Sequence, residues 1–77
     1  MKNNLHDALL NKLRQERQVV TLFIVNGFQL KGRIVGFDDA VVVMEIRREQ
    51  QIVYRHVIST IVPAEPVELN ALREGES

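Results

Sequence analysis

Leucines at Leu5, Leu9, Leu10 and Leu13 recur at one-turn spacing, with charged residues between them. That stripe predicts a short amphipathic helix over about residues 8–17. Asp7 would serve as its N-cap, with Asn4 as a competing start, and Arg14 and Arg17 would suit the negative end of the helix dipole. From Val19 the period changes to two. Val20, Leu22 and Ile24 would face a core, and Thr21 and Phe23 the other side of the pleat. Asn26-Gly27 predicts a type I′ hairpin turn, which needs positive φ at both central residues. The next strand, residues 28–37, carries Gly32 and Gly36, a pattern that predicts sharp bending or a bulge. Asp38-Asp39 makes a further turn, and residues 41–44 are apolar on both faces. Residues 47–50 read as a polar loop, residues 51–55 as a strand, and residues 59–62 as a last short strand closed by Pro63. The expected fold is mainly β, with one N-terminal helix and five short antiparallel strands.

A chain of 77 residues makes one small domain that buries too little surface for comfortable stability alone. Cysteine is absent, which removes disulfides and thiolate ligands and fits a reducing compartment. His6 and His56 are thin material for a metal site, so no metal or other cofactor is expected. Oligomerisation is left as the support, and an open sheet of this kind has edges that need partners. No secretory leader and no apolar run of membrane-spanning length is visible, so a cytoplasmic location without membrane contact is expected.

The formal net charge is zero, but its distribution is uneven. Residues 1–63 hold nine Lys/Arg against six Asp/Glu, a balance of +3, whereas residues 64–77 hold Arg73 against Glu65, Glu68, Glu74 and Glu76, a balance of −3. A mildly basic body with an acidic, disordered tail follows, and a ring of such bodies would multiply the local field.

Arg55 and His56 stand consecutively between apolar runs. Burying an unpaired charge costs several kcal/mol, roughly, so the chain is expected to break there and turn both heads toward an anion-facing surface. On the residues alone, an ion pair for Arg55 and a turn-capping role for His56 remain equally open. The stretch Val53-Tyr54-Arg55-His56-Val57-Ile58-Ser59-Thr60-Ile61 resembles the Tyr-Lys-His-Ala-Ile-Ser-Thr signature of Hfq, the bacterial RNA chaperones of the Sm-like family. Val25-Asn26-Gly27-Phe28-Gln29-Leu30-Lys31-Gly32, followed by Gly36-Phe37-Asp38, resembles a second part of that family's pattern. Order and spacing agree from about Leu5 to Pro63, apart from one extra residue near positions 47–50.

The resemblance implies a strongly bent Sm-like sheet and a homo-oligomeric ring, hexameric in Hfq, closed by pairing the last strand with a neighbour's fourth. It also implies two RNA-binding faces. A pore face for uridine-rich ends would comprise His6, Asp39, Ala40, Arg55 and His56, with Arg55 in place of the family's lysine and Tyr54 packing at the subunit boundary. The opposite face would accept adenine-rich single strands on Phe23, Gly27, Phe28, Gln29, Leu30, Lys31, Gln51 and Thr60, in the Gram-positive form of the family. Asn11, Arg14 and Arg17 would lie on the rim, where Gln15 thins an arginine patch. The partners implied are small regulatory RNA and mRNA, and the role is promotion of RNA–RNA pairing.

Two departures bear on this. The family's amide and stacking aromatic after the turn aspartate are Asp39 and Ala40 here, and His6 stands where glutamine is common. Asp39-Ala40 and the zero net charge are the evidence for an alternative to the RNA-binding reading: a ring-forming structural or protein-interaction module with weakened or lost RNA binding. Catalysis finds no support. Ser59 and His56 lack a third group, and no phosphate-cradling glycine loop exists.

Overall fold

The computed structural model describes residues 5–69. Helix α1, Leu5–Glu16, precedes five strands: β1 Val19–Ile24, β2 Gln29–Phe37, β3 Val41–Ile46, β4 Glu49–Tyr54 and β5 Ile58–Pro63. A 3₁₀ turn, Arg55–Val57, links the last two. The strands form one antiparallel sheet in the order β4-β3-β2-β1-β5, so β4 and β5 are its open edges. Every neighbouring pair except β1–β5 is consecutive in the chain.

The expected alternation holds. Val20 and Leu22 are buried with Leu10 and Leu13 of α1, Ile34 of β2, Val42 and Met44 of β3 and Val53 of β4, and Ile24 packs at their margin. Among the described residues no polar or charged side chain is buried. Two slips of register bend the sheet. Val35 is the extra residue between the pairs Ile34↔Met44 and Gly36↔Val43. Ser59 is the extra residue between Phe23↔Thr60 and Ile24↔Ile58, and its hydroxyl donates to the Phe23 carbonyl oxygen at 3.0 Å. Both bulges raise the local twist. Gly32 is required by close approach, since a Cβ there would strike the Glu45 carbonyl oxygen and lie 2.7 Å from Ile46 Cγ1.

Four local expectations are corrected. The helix starts at Leu5, before the expected residue 8, so Asp7 lies inside its first turn and cannot be the N-cap; Asn4 lies outside the described residues. At the first hairpin only Gly27 has positive φ, at 94°. The Gly27 amide donates to the Ile24 carbonyl and the Ile24 amide to the Phe28 carbonyl, each at 2.8 Å. Those bonds make a three-residue loop ending in a left-handed glycine, in place of a two-residue type I′ turn. The polar loop at residues 47–50 contracts to Arg47-Arg48, with φ of 52° and 71° and Ile46 paired directly with Glu49. The doubly positive turn is thus built there, on two arginines. Arg55, expected to end β4, opens the 3₁₀ turn instead.

Arg17 ends α1 with φ of 56°. Bonds from the Gln18 amide to the Leu13 carbonyl (3.3 Å) and from the Arg17 amide to the Arg14 carbonyl (3.2 Å) form a Schellman motif, a place glycine usually takes. Past β5, the Ala64 amide donates to the Val19 carbonyl and the Glu65 amide to Gln18 Oε1, both at 3.0 Å, and Val67 packs on the core. The remainder of the expected acidic tail, residues 70–77, lies outside the described residues. No helix among the described residues is long and apolar enough to cross a membrane.

Candidate nucleic-acid interface

Of the five residues expected on the pore face, three meet, because Arg55 gathers His6 and Ala40 together with Asp7 and Asp38. Arg55 leaves the end of β4 with its amide donating to the Ala40 carbonyl at 2.9 Å. Its guanidinium donates through Nη1 to the Asp38 carbonyl at 2.6 Å, and Nη2 lies 2.9 Å from both Asp7 Oδ1 and His6 Nδ1. A guanidinium can only donate, so His6 Nδ1 must accept, which assigns the ring as neutral with its proton on Nε2. The helix start, the turn after β2 and the 3₁₀ turn are thus tied to one cation. Arg55 is only 13% exposed in its side chain, and its donors are largely spent within the chain. That ion pair is the outcome for Arg55 that the residues alone had left open. His56 is exposed, with its ring centroid 6.0 Å from that of Tyr54.

The turn itself is set by Asp38, whose Oδ1 accepts from the Ala40 and Val41 amides at 2.8 and 3.0 Å. These two bonds, the one from Ala40 foremost, hold the Asp38 carboxyl below its usual pKa. Asp39 and Ala40 stand exposed at the tip. His6 is pushed below the ordinary imidazole value, first by partial burial and then by the Arg55 charge, against an opposite pull from Asp7. The burial arises where His6 borders an apolar pocket with Leu9, Leu13, Ile61 and Val67.

The second group falls into two neighbouring grooves. Pairings Phe23↔Gln29 and Phe23↔Thr60 place Gln29, Phe23 and Thr60 in one row across β2, β1 and β5. Phe23, Gly27 and Thr60 line one groove with Ser59. Gln29, Leu30, Lys31 and Gln51 line the other with Ile46 and Arg47. Phe28 projects beside the hairpin loop and is 68% exposed, far more than packing within one chain would leave. Gln51 belongs to edge strand β4 and Thr60 to edge strand β5, so the single chain keeps these two apart. On α1, Arg14 Nη2 donates to Asn11 Oδ1 at 2.6 Å, and Arg14 and Arg17 are exposed. Asp7 and Ser59 are the site-shaping residues that sequence reasoning did not assign. Asp7 carried only a capping signal, and Ser59 is placed by a bulge that no local pattern announces.

A short helix followed by a bent, five-stranded antiparallel sheet with a 3₁₀ link between its last strands is the Sm-like fold. A crystal structure of "the pleiotropic translational regulator, Hfq" superposes with a TM-score of 0.74 at 37% identity, covering 77% of this chain and 98% of that one. An Hfq protein from Anabaena shares the fold with a TM-score of 0.69 at 22% identity, over 75% and 93% of the two chains. The profile of the Hfq protein family matches residues 5–68, and the chain belongs to that family. Among its relatives is the RNA-binding protein Hfq of Desulforudis audaxviator, 52% identical over 92% of this chain and 86% of its own length. The RNA-binding protein Hfq of Desulfitobacterium hafniense is 47% identical over 96% and 89%.

Proposed function

We propose that this chain is an RNA-binding protein that assembles as a ring and prefers adenine-rich over uridine-rich single strands. The carrying observation is the row Gln29–Phe23–Thr60, flanked by the exposed ring of Phe28. An aromatic platform beside amide and hydroxyl groups suits purines, which offer a π-face together with an N6/N7 edge. Relatives named as RNA-binding proteins support the class.

The open edges support the ring. Strands β4 and β5 end the sheet with unpaired backbone groups and exposed Ile52, Tyr54 and Val62. Pairing β5 of one copy with β4 of the next would cover them and bring Thr60 beside a neighbour's Gln51, completing the crevice from two subunits. Six subunits is the number the family resemblance implies. On the pore face, Arg55 is engaged internally and Ala40 has no ring to stack, so uridine binding there is the weaker of the two. RNA strands held on one ring meet at high effective concentration, and basic side chains screen their repulsion, which promotes pairing without bond chemistry.

Fluorescence anisotropy with oligo-A and oligo-U of equal length, at equal salt, tests the preference. Oligo-A should bind more tightly, and Phe28→Ala should weaken it by about 1–3 kcal/mol. Equal or tighter oligo-U binding, or no binding of either, overturns the reading. Sedimentation at micromolar concentration should show a closed oligomer, and a monomer would remove the composite crevice.

A further inference from the structure

Three described residues other than glycine have positive φ, and all three are arginines: Arg17, Arg47 and Arg48. Left-handed backbone costs an L-residue with a long side chain about 1–2 kcal/mol. A hairpin that only had to turn would place Asn-Gly at positions 47 and 48. Two adjacent arginines held there against their preference point to a use for the charge.

That turn closes one end of a groove whose floor is the outward face of β1, β2 and β3. Lys31, Arg33, Arg47 and Arg48 line it, with Glu45 as its one acidic member. Four of the nine basic residues in positions 1–63 thus meet at one place. Their charges are available: ion pairs among the described residues are Lys12–Glu16 and Arg55–Asp7, and none of these four side chains donates a hydrogen bond there. The groove runs into the Gln29–Gln51 crevice, because Lys31, Ile46 and Arg47 line both. Pairing Thr21↔Lys31 and Val19↔Arg33 puts Lys31 and Arg33 on the same side of the sheet as Phe23 and Gln29. Along β2, Gln29, Lys31 and Arg33 therefore follow one another at about 6.7 Å, a spacing close to that of successive phosphates in an extended strand.

We infer that the Lys31-Arg33-Arg47-Arg48 groove is a binding track for the phosphodiester backbone of single-stranded RNA leaving the opposite-face crevice. The inference rests on the proposed RNA reading and adds Arg33, Arg47 and Arg48 to it. Contacts of this kind position a strand without reading its sequence. The track uses β1, β2, β3 and the β3–β4 turn, and none of its lining residues belongs to the edge strands β4 and β5 through which subunits would pair.

The test pairs Arg33→Gln with Arg48→Gly, two positions that line the groove but not the crevice. Glycine suits the φ of 71° at position 48, which protects the fold. Anisotropy titrations would use a short oligo-A that fills one crevice and one several times longer, across a salt series. The double variant should bind the long strand several-fold more weakly. Its slope of log affinity against log salt should fall by about 1.4 for each subunit the strand crosses, at ~0.7 per lost phosphate contact, and the short oligomer should bind as before. Unchanged affinity and slope for the long strand, with Phe28→Ala still weakening both, overturns the track alone. Failure of the unaltered protein to bind either length overturns the track together with the RNA reading. An equal loss on short and long strands also overturns it, because the charges would then act on the whole surface.

Discussion

Arg55 Nη2 and Asp7 Oδ1 stand 2.9 Å apart, joining the helix that opens the fold to the turn that precedes its last strand. The same guanidinium holds the Asp38 carbonyl, so one side chain fixes the relative positions of α1, the turn after β2 and the 3₁₀ turn.

Arg55→Ala should therefore lower stability as well as pore-face affinity. Charge-assisted hydrogen bonds of this type contribute about 1.5–3 kcal/mol. Asp7 is 40% exposed, so solvent screening places the loss toward the lower end. Arg55→Lys keeps the charge but not the fork and should recover only part. Urea titration decides it: an unshifted midpoint in Arg55→Ala would remove the structural role.

His6 gives the protein an acid sensitivity. Its folded-state pKa is lowered, so below the ordinary imidazole value of about 6.5 the unfolded chain takes up a proton that the folded chain refuses. Stability should fall as pH drops from 6.5 toward the lowered value and level off beneath it. Protonation also removes the acceptor lone pair facing Arg55. Urea midpoints at about pH 7.5 and about pH 5.5 should differ more for the natural chain than for His6→Gln. At lower pH, Asp38 adds a further loss as its carboxylate is protonated through its own lowered pKa.

Two glycines of β2 should respond oppositely to alanine. Gly32→Ala drives a methyl group into the Glu45 carbonyl, which is backbone and cannot swing away, and should cost about 1–3 kcal/mol or more. A Cβ at Gly36 meets open space, so Gly36→Ala should be neutral or stabilise by up to about 1 kcal/mol. Comparable thermal midpoints for the two variants would contradict the close approach.

Asp39→Gln with Ala40→Phe should strengthen oligo-U binding by about 1–3 kcal/mol if stacking is the missing term. Both positions are exposed at the turn tip, and Asp38 keeps the turn through its own bonds, so the fold should not change. An unchanged oligo-U affinity would assign the weakness to Arg55's internal bonds.

Arg17→Gly should raise stability by about 1 kcal/mol, because glycine relieves the left-handed C-terminal position of α1. The same change removes one exposed positive charge from the proposed rim. A variant that is more stable yet poorer at annealing complementary strands would separate the two demands on Arg17.

Much of the fold was legible because alternation and leucine spacing report burial directly. Val20, Leu22, Leu10 and Leu13 lie in the core as their periods required. Turn geometry was less so. Asn26-Gly27 marked a hairpin but not its length, and Arg47-Arg48 carries no turn propensity at all, since its doubly positive φ is imposed by the register of β3 against β4. Candidate site residues were named through the family resemblance, whereas Asp7's pairing with Arg55 depends on how α1 crosses the sheet. That crossing leaves no mark on neighbouring residues.

The two open edges have a consequence for mixtures of chains. Strand β4 and strand β5 are different surfaces at opposite ends of one sheet, so an assembly built on them is head-to-tail and each member must offer both. A copy spoiled at β5 alone could still accept a neighbour on β4 but could not hand the chain on. Within a population it would act as a terminator, leaving sound copies stranded in open arcs. Damage to one edge would therefore be dominant over the intact form, while damage to both would merely withdraw a subunit from the pool.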